Sequence, residues 1–322
     1  MLKRASFNLT RRCYLHCDYC RFRDIDYSER PDEYIRPTCN EKEVEHSFWI
    51  ELAGRLKSNN PNIHIYMKGG EPFLYKKATY LFAYMNILNI NYTIESGCCG
   101  SIEEILINFS DNKFPLKNLT LSVDSGFHMN DAYSLTDDSL YRATRGVDVM
   151  SSLINEGLII NPVCNVVLYK GSERKLYKTI SFLNSKGISC NIVFLEYAKN
   201  RYYDFSALNS DDAIIENNEF TRKFFRKIFN SRLNINMKKS IPWNFYDNFP
   251  SNFDCGVDKD FTDISIDFDG TVRLCDRIRG VHNINALDLV ERDGLIKMSL
   301  LNNILEDKKS FCKVCGNWMI SK

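Results

Sequence analysis

The sequence predicts an α/β protein: an open, partial (β/α)6 barrel over residues 1–240, followed by a small cysteine-rich domain over 241–322. Three observations predict it. Apolar runs of strand length alternate six times with amphipathic runs of helix length. Each strand is followed by a helix, which favours parallel pairing through crossovers. Six such units are too few for a closed eight-stranded barrel. Cysteines gather at the two ends of the chain, with Cys13, Cys17 and Cys20 at one and Cys255, Cys275, Cys312 and Cys315 at the other.

The first strand is expected in "RASFNLT" (4–10). "NEKEVEHSFWIELAGRLKS" (40–58) reads as a helix opened by Asn40, with Glu43 in a capping-box relation. "NIHIYMK" (62–68) alternates Ile63, Ile65 and Met67 with His64, Tyr66 and Lys68, the period of a strand. A helix near 75–88 and a strand at 91–96 follow, then a second capping box at Ser101 and Glu104. Strands at 118–124, 162–170 and 189–197 alternate with helices at 137–157 and 172–187. Beyond residue 205 the pattern changes. A helix is expected at 215–233, an aromatic loop at 242–254, a hairpin turning at Asp269-Gly270 over 263–277, and a last helix near 286–305.

Composition excludes several classes of function. Lys and Arg number 42 against 41 Asp and Glu, so the net charge of +1 gives no electrostatic reason for nucleic acid or acidic lipid. No apolar run approaches the roughly 20 residues of a membrane span, and the N-terminus lacks a signal-peptide core. A cytosolic location is expected. There, 12 cysteines point to metal rather than disulfides.

The triplet has the spacing C-x3-C-x2-C and lies in the loop after the first strand, at the catalytic end of such a fold. Three thiolates suit a [4Fe–4S] cluster with one iron open to a small molecule. A zinc site completed by His16 or a distant group is the alternative. "KGGEP" (68–72) follows the second strand, where Gly69 and Gly70 allow a backbone path close to a ligand. The second cysteine group is C-x14-G-x4-C-x36-C-x2-C, suited to four thiolates on a cluster or on zinc.

The triplet in the first loop, with GGEP after the second strand, resembles the radical S-adenosylmethionine (radical SAM) enzymes. The second group resembles their C-terminal twitch domain, a shortened relative of the SPASM domain. The resemblance implies two [4Fe–4S] clusters, reductive cleavage of S-adenosylmethionine to a 5′-deoxyadenosyl radical, and hydrogen abstraction from a substrate. It implies cluster ligands Cys13, Cys17 and Cys20, and auxiliary ligands Cys255, Cys275, Cys312 and Cys315. It makes Tyr19, Gly69, Gly70, Glu71, Ser122 and either Arg142 or Arg145 candidate contacts of the cofactor. An electron donor such as flavodoxin or ferredoxin is the implied partner.

The substrate is expected to be a peptide undergoing cross-linking, oxidation or epimerisation. Aromatic stretches at 196–205 and 241–249 favour that reading, although they also suit packing between domains. The triplet begins at residue 13, so no leader-binding domain is expected ahead of the barrel, which leaves room for an aminocyclitol or sugar dehydrogenase. Cys98, Cys99, Cys164 and Cys190 are candidate hydrogen donors, against a preference for none, since free cysteine is more often a small buried hydrophobe.

Overall fold

The structure is a computed structural model. It describes residues 2–13, 43–97, 116–124, 138–168, 171–194, 219–236, 262–273 and 283–311. Strands β1 (Arg4–Asn8), β2 (His64–Lys68), β3 (Asn91–Ser96), β4 (Leu116–Asp124), β5 (Ile159–Leu168), β6 (Ser189–Phe194), β7 (Asp263–Ile266) and β8 (Val272–Arg273) form one sheet. Their order is β6-β5-β4-β3-β2-β1-β7-β8. Every pairing is parallel except that of β7 with β8. The chain is thus α/β with a mostly parallel eight-stranded sheet.

The helices are α1 (His46–Asn59), α2 (Ala78–Ile87), α3 (Asp138–Asn155), α4 (Glu173–Ser185), α5 (Glu219–Phe229), the short α6 (Ala286–Leu289) and α7 (Met298–Phe311). From β1 to β6 the order never reverses. Crossovers of one hand therefore land on one side of the sheet. Contacts agree: Phe7 of β1 meets Trp49 of α1 with ring centroids 4.8 Å apart. Phe82 of α2 stacks on Tyr92 of β3 at 6.5 Å.

The two faces of the sheet differ sharply. Ala5, Phe7, Ile65, Met67, Tyr92, Ile94, Leu119, Leu121, Val166, Ile192, Ile264 and Ile266 are buried under the helices. Register places the alternate residues together on the other face: Ser6 beside Tyr66, Tyr66 beside Thr93, and Ser122 beside Asn165 beside Asn191. One face thus supplies the core and the other is polar, as strand alternation requires.

Three expectations are corrected. The first helix begins at His46, with Glu45 rather than Asn40 at its N-cap. Glu43 lies outside the helix because its carboxylate is drawn to Thr10 and Arg12. The last helix is split into α6 and α7 by a turn at Gly294, whose φ is +82°. No side chain fits there: a Cβ would lie 2.2 Å from the Arg55 carbonyl oxygen. The hairpin forms with its turn at Gly270, φ +84°, but β7 also pairs with β1 and so extends the main sheet. The second capping box and the aromatic stretches fall outside the described residues. Among the described residues no helix is long and apolar enough to cross a membrane.

Candidate functional site

Beyond their strands, β1 and β2 keep pairing through loop backbone. Leu9 N–H donates to the Lys68 carbonyl, Gly70 N–H to that of Thr10, and Glu71 N–H to that of Arg12, each at 2.7 Å. The GGEP segment is therefore laced to the residues that lead into Cys13. Both glycines are required by this approach. Gly69 sits at φ +140°, and a Cβ on it would stand 2.4 Å from the Thr10 oxygen. A Cβ on Gly70 would stand 2.2 Å from the Arg12 oxygen and 2.6 Å from that of Arg11. Cys13, the next residue, is buried.

Glu71 is fully buried, and its carboxylate anchors the end of β3. Its oxygens accept from Ser96 Oγ at 3.1 and 3.0 Å and from Gly97 N–H at 3.0 Å. One of them also accepts from Phe73 N–H at 3.3 Å. A carboxylate accepting these hydrogen bonds fixes the geometry of the glycine turn against the neighbouring strand.

The neck of the cysteine loop is closed a second time by side chains. Arg12 reaches both oxygens of Glu43, at 3.0 and 2.8 Å, while Thr10 Oγ1 donates to the same carboxylate. Thr10 Oγ1 also accepts from Arg12 N–H at 3.0 Å. The Arg12 and Glu43 side chains are only 29% and 16% exposed, so solvent screens the pair incompletely. A double-mutant cycle on Arg12→Ala and Glu43→Ala should give a coupling of about 1–2 kcal/mol by chemical denaturation. A coupling near zero would mean that the pair does not close the neck.

On the polar face, Ser122 of β4 lies in a row with Asn165 and Asn191, and Asn191 Nδ2 donates to Asn165 Oδ1 at 3.0 Å. Thr120 shares that face, while Leu119, Leu121 and Val123 are buried on the other. Near the other end of the row, Asn8 Nδ2 donates to Ser265 Oγ at 3.1 Å and to Asp267 Oδ1 at 3.0 Å. Asp267 Oδ2 accepts from Arg273 Nε. His64 meets Thr93 Oγ1 at 2.8 Å, and burial chiefly, then the Arg4 charge, lowers its pKa. Arg145 is exposed on α3, and Arg142 lies on the same helix.

Cys164 and Cys190 do not share this face. They pair in register beneath the helices, fully buried, and Asn184 of α4 approaches Cys190 Sγ at 3.8 Å. Burial pushes the Cys190 thiol up to about 12, so it stays protonated.

With this geometry in hand, likeness to known structures is informative. No protein-family model matches the sequence, and no curated protein does. Solved structures do match. Streptococcus suis SuiB bound to S-adenosylmethionine aligns at a TM-score of 0.62 and 16% identity, covering 94% of this chain and 68% of that one. A second SuiB structure aligns at 0.64, 16% identity, with coverage of 98% and 72%. SuiB bound to the precursor peptide SuiA aligns at 0.55, 16% identity, with coverage of 94% and 66%.

The chain has the fold of SuiB.

Within the SuiB-like fold, the strand ends gather Thr10, Arg12, Cys13, Gly69, Gly70 and Glu71. Cys17, Cys20, Tyr19, Cys98, Cys99, Cys255, Cys275, Cys312 and Cys315 lie outside the described residues. Among the described residues no group of three or more His, Cys, Asp and Glu side chains is arranged to hold a metal ion. Sequence reading missed Asn8, Asp267 and Arg273. The signal was present in "SIDFDGTVR", where polar residues recur every second position, but it shows only once β7 is known to lie beside β1.

Proposed function

We propose that this chain is a radical SAM enzyme that modifies a peptide. The observation that carries the reading is the backbone lacing of the Cys13 neck onto Gly69, Gly70 and Glu71 at the strand ends. SuiB structures bound to S-adenosylmethionine and to a precursor peptide support it. The proposed architecture is a partial (β/α)6 barrel over 1–240 with a twitch-like segment over 241–322.

The residues present fit the implied groups. Cys13, Cys17 and Cys20 would hold one [4Fe–4S] cluster, and Cys255, Cys275, Cys312 and Cys315 a second. Zinc is the poorer match for the triplet, since three thiols on one short loop leave the open position that a structural zinc site lacks. When bound, the first cluster supplies the electron that cleaves S-adenosylmethionine. This chain's residues do the rest. Gly69 and Gly70 bring bare backbone to the cofactor, and Glu71 holds that backbone against β3. Ser122 offers a hydroxyl from the polar face, Tyr19 an aromatic surface, and Arg142 a cation for the cofactor carboxylate. Cys164 and Cys190 are turned into the core, away from the polar face, and the proposed outcome is net oxidation, with Cys98 and Cys99 the remaining thiols that the test addresses. Free thiols in number suit the cytosol.

The test is anaerobic turnover of reconstituted enzyme with cellular peptides, in deuterium oxide, read by mass. The expected product is two mass units lighter and carries no solvent deuterium, with alanine at Cys98, Cys99, Cys164 or Cys190 giving the same product. A product one unit heavier would overturn the oxidation. Conversion of a polyol, with every peptide unchanged, would overturn the peptide substrate.

A further inference from the structure

Arg273 of β8 is 5% exposed, a depth at which charged residues normally have all their donors engaged. Its Nε donates to Asp267, and Asp267 in turn takes Asn8, so the guanidinium is held from one side. Its Nη1 is buried and has no hydrogen-bond partner among the described residues. A guanidinium offers five donors in a fixed fork, and leaving one buried and unmet is costly. Nε alone meets the Asp267 charge, with Asn8 on the other carboxylate oxygen, so Nη1 is left over. The unmet donor is a feature awaiting an acceptor.

Position says where the acceptor lies. Arg273 pairs in register with Ser265, yet its side chain reaches Asp267, two residues further toward the strand ends. Asn8 of β1 joins the same group, and Cys13 follows five residues later. The guanidinium thus lies on the polar face, next to the strand that leads into the candidate cofactor site.

Charge says what the acceptor is. Arg273 is already neutralised by Asp267, with the two side chains 5% and 13% exposed. A second carboxylate at Arg273 would leave a buried negative charge with no counter-ion, which is unfavourable. A neutral carbonyl oxygen satisfies the donor and keeps the balance. The neighbouring side chains Asn8 and Ser265 are themselves neutral hydrogen-bonding groups.

We infer that Arg273, held by Asp267 and Asn8, is a substrate-binding residue that donates Nη1–H to a main-chain carbonyl of a peptide lying on the polar face. This rests on the peptide-modifying reading and names how that site grips its substrate. Main-chain recognition of this kind tolerates variation in the peptide's side chains.

The test uses full-length, reconstituted protein and a mixed-sequence hexapeptide library with acetylated and amidated ends, measured by equilibrium dialysis. Wild-type protein should retain peptides, and Arg273→Lys, which keeps the charge opposite Asp267 but lacks the fork, should retain at least ten-fold less. If Arg273→Lys does not fold, the uncharged pair Arg273→Gln with Asp267→Asn is compared instead, with the same loss expected. Equal retention by variant and wild type overturns the inference, as does wild-type retention confined to peptides bearing Asp or Glu, or no retention at all. Weakened binding of S-adenosylmethionine by the variant, with peptide retention intact, also overturns it by making Arg273 a cofactor residue. Iron content and S-adenosylmethionine binding of the wild-type protein are read on the same samples. Their absence would count against the radical SAM reading, whereas the ratio between variant and wild type speaks to Arg273 alone.

Discussion

Gly70→Ala is expected to cost about 3 kcal/mol or more of stability, because a methyl group must displace backbone rather than a flexible side chain. The displaced atoms are the carbonyl oxygens of Arg12 and Arg11, at 2.2 and 2.6 Å from the new Cβ. The Arg12 carbonyl cannot move away without breaking the bond it accepts from Glu71 N–H, which laces the two loops. The loss should therefore appear twice, as a lower denaturation midpoint and as poor retention of reconstituted iron. Gly54→Ala is the control. It lies inside α1 with nothing within 4 Å of its Cβ position, so alanine there should be neutral or stabilising by up to about 1 kcal/mol. If Gly70→Ala matches the wild type in both readouts, the close approach of the loops is not a requirement of the site.

The second large effect is on the metal. Reconstituted wild-type protein should hold roughly 8 iron atoms, four for each cluster. Replacing Cys13, Cys17 and Cys20 together by alanine should leave about half of that iron and abolish formation of 5′-deoxyadenosine by dithionite-reduced protein. Replacing Cys255, Cys275, Cys312 and Cys315 should remove the other half. Zinc in the second site of protein purified without oxygen would refute the auxiliary cluster. Undiminished cleavage by the triplet variant would refute the first.

Much of the fold was legible because strand alternation is a two-sided record. Ile63, Ile65 and Met67 against His64, Tyr66 and Lys68 marked both a strand and its faces, and the structure buries the first set. The same period placed Ser122 and Thr120 opposite Leu119 and Leu121. What sequence could not reveal was pairing between distant segments. Glu43 looked like a capping residue because only local neighbours are visible along a chain, whereas its partners Thr10 and Arg12 come from the strand end beside it in space. Cys164 could be placed on a strand but not on a face, since "PVCNVV" is apolar on both sides except at Asn165. Arg273 stood in an alternating polar pattern whose meaning showed only once β7 brought Asp267 beside Asn8. At the two glycines the sequence foretold a close backbone approach, which the structure shows against Thr10 and Arg12. The candidate site was less legible at Glu71, whose carboxylate serves the end of β3.

The strand that begins the chain is flanked by one neighbour made early and another made very late. β2 follows within some sixty residues, but Arg4 meets its partner Asp263 across a separation of 259. At the pace of bacterial or eukaryotic synthesis that interval is roughly 13–50 seconds. Throughout it the nascent chain presents β1 as an open edge, with Ser265 and Asp267 not yet beside Asn8 and the backbone groups of Arg4 to Phe7 not yet paired with β7. An open edge of this kind invites pairing with other chains. Release of the ribosome at any point before residue 266 would leave that edge uncovered for good. Shortened forms of this protein should therefore aggregate in cells, and nascent chains stalled before residue 266 should be cut by protease near β1 where completed chains are not.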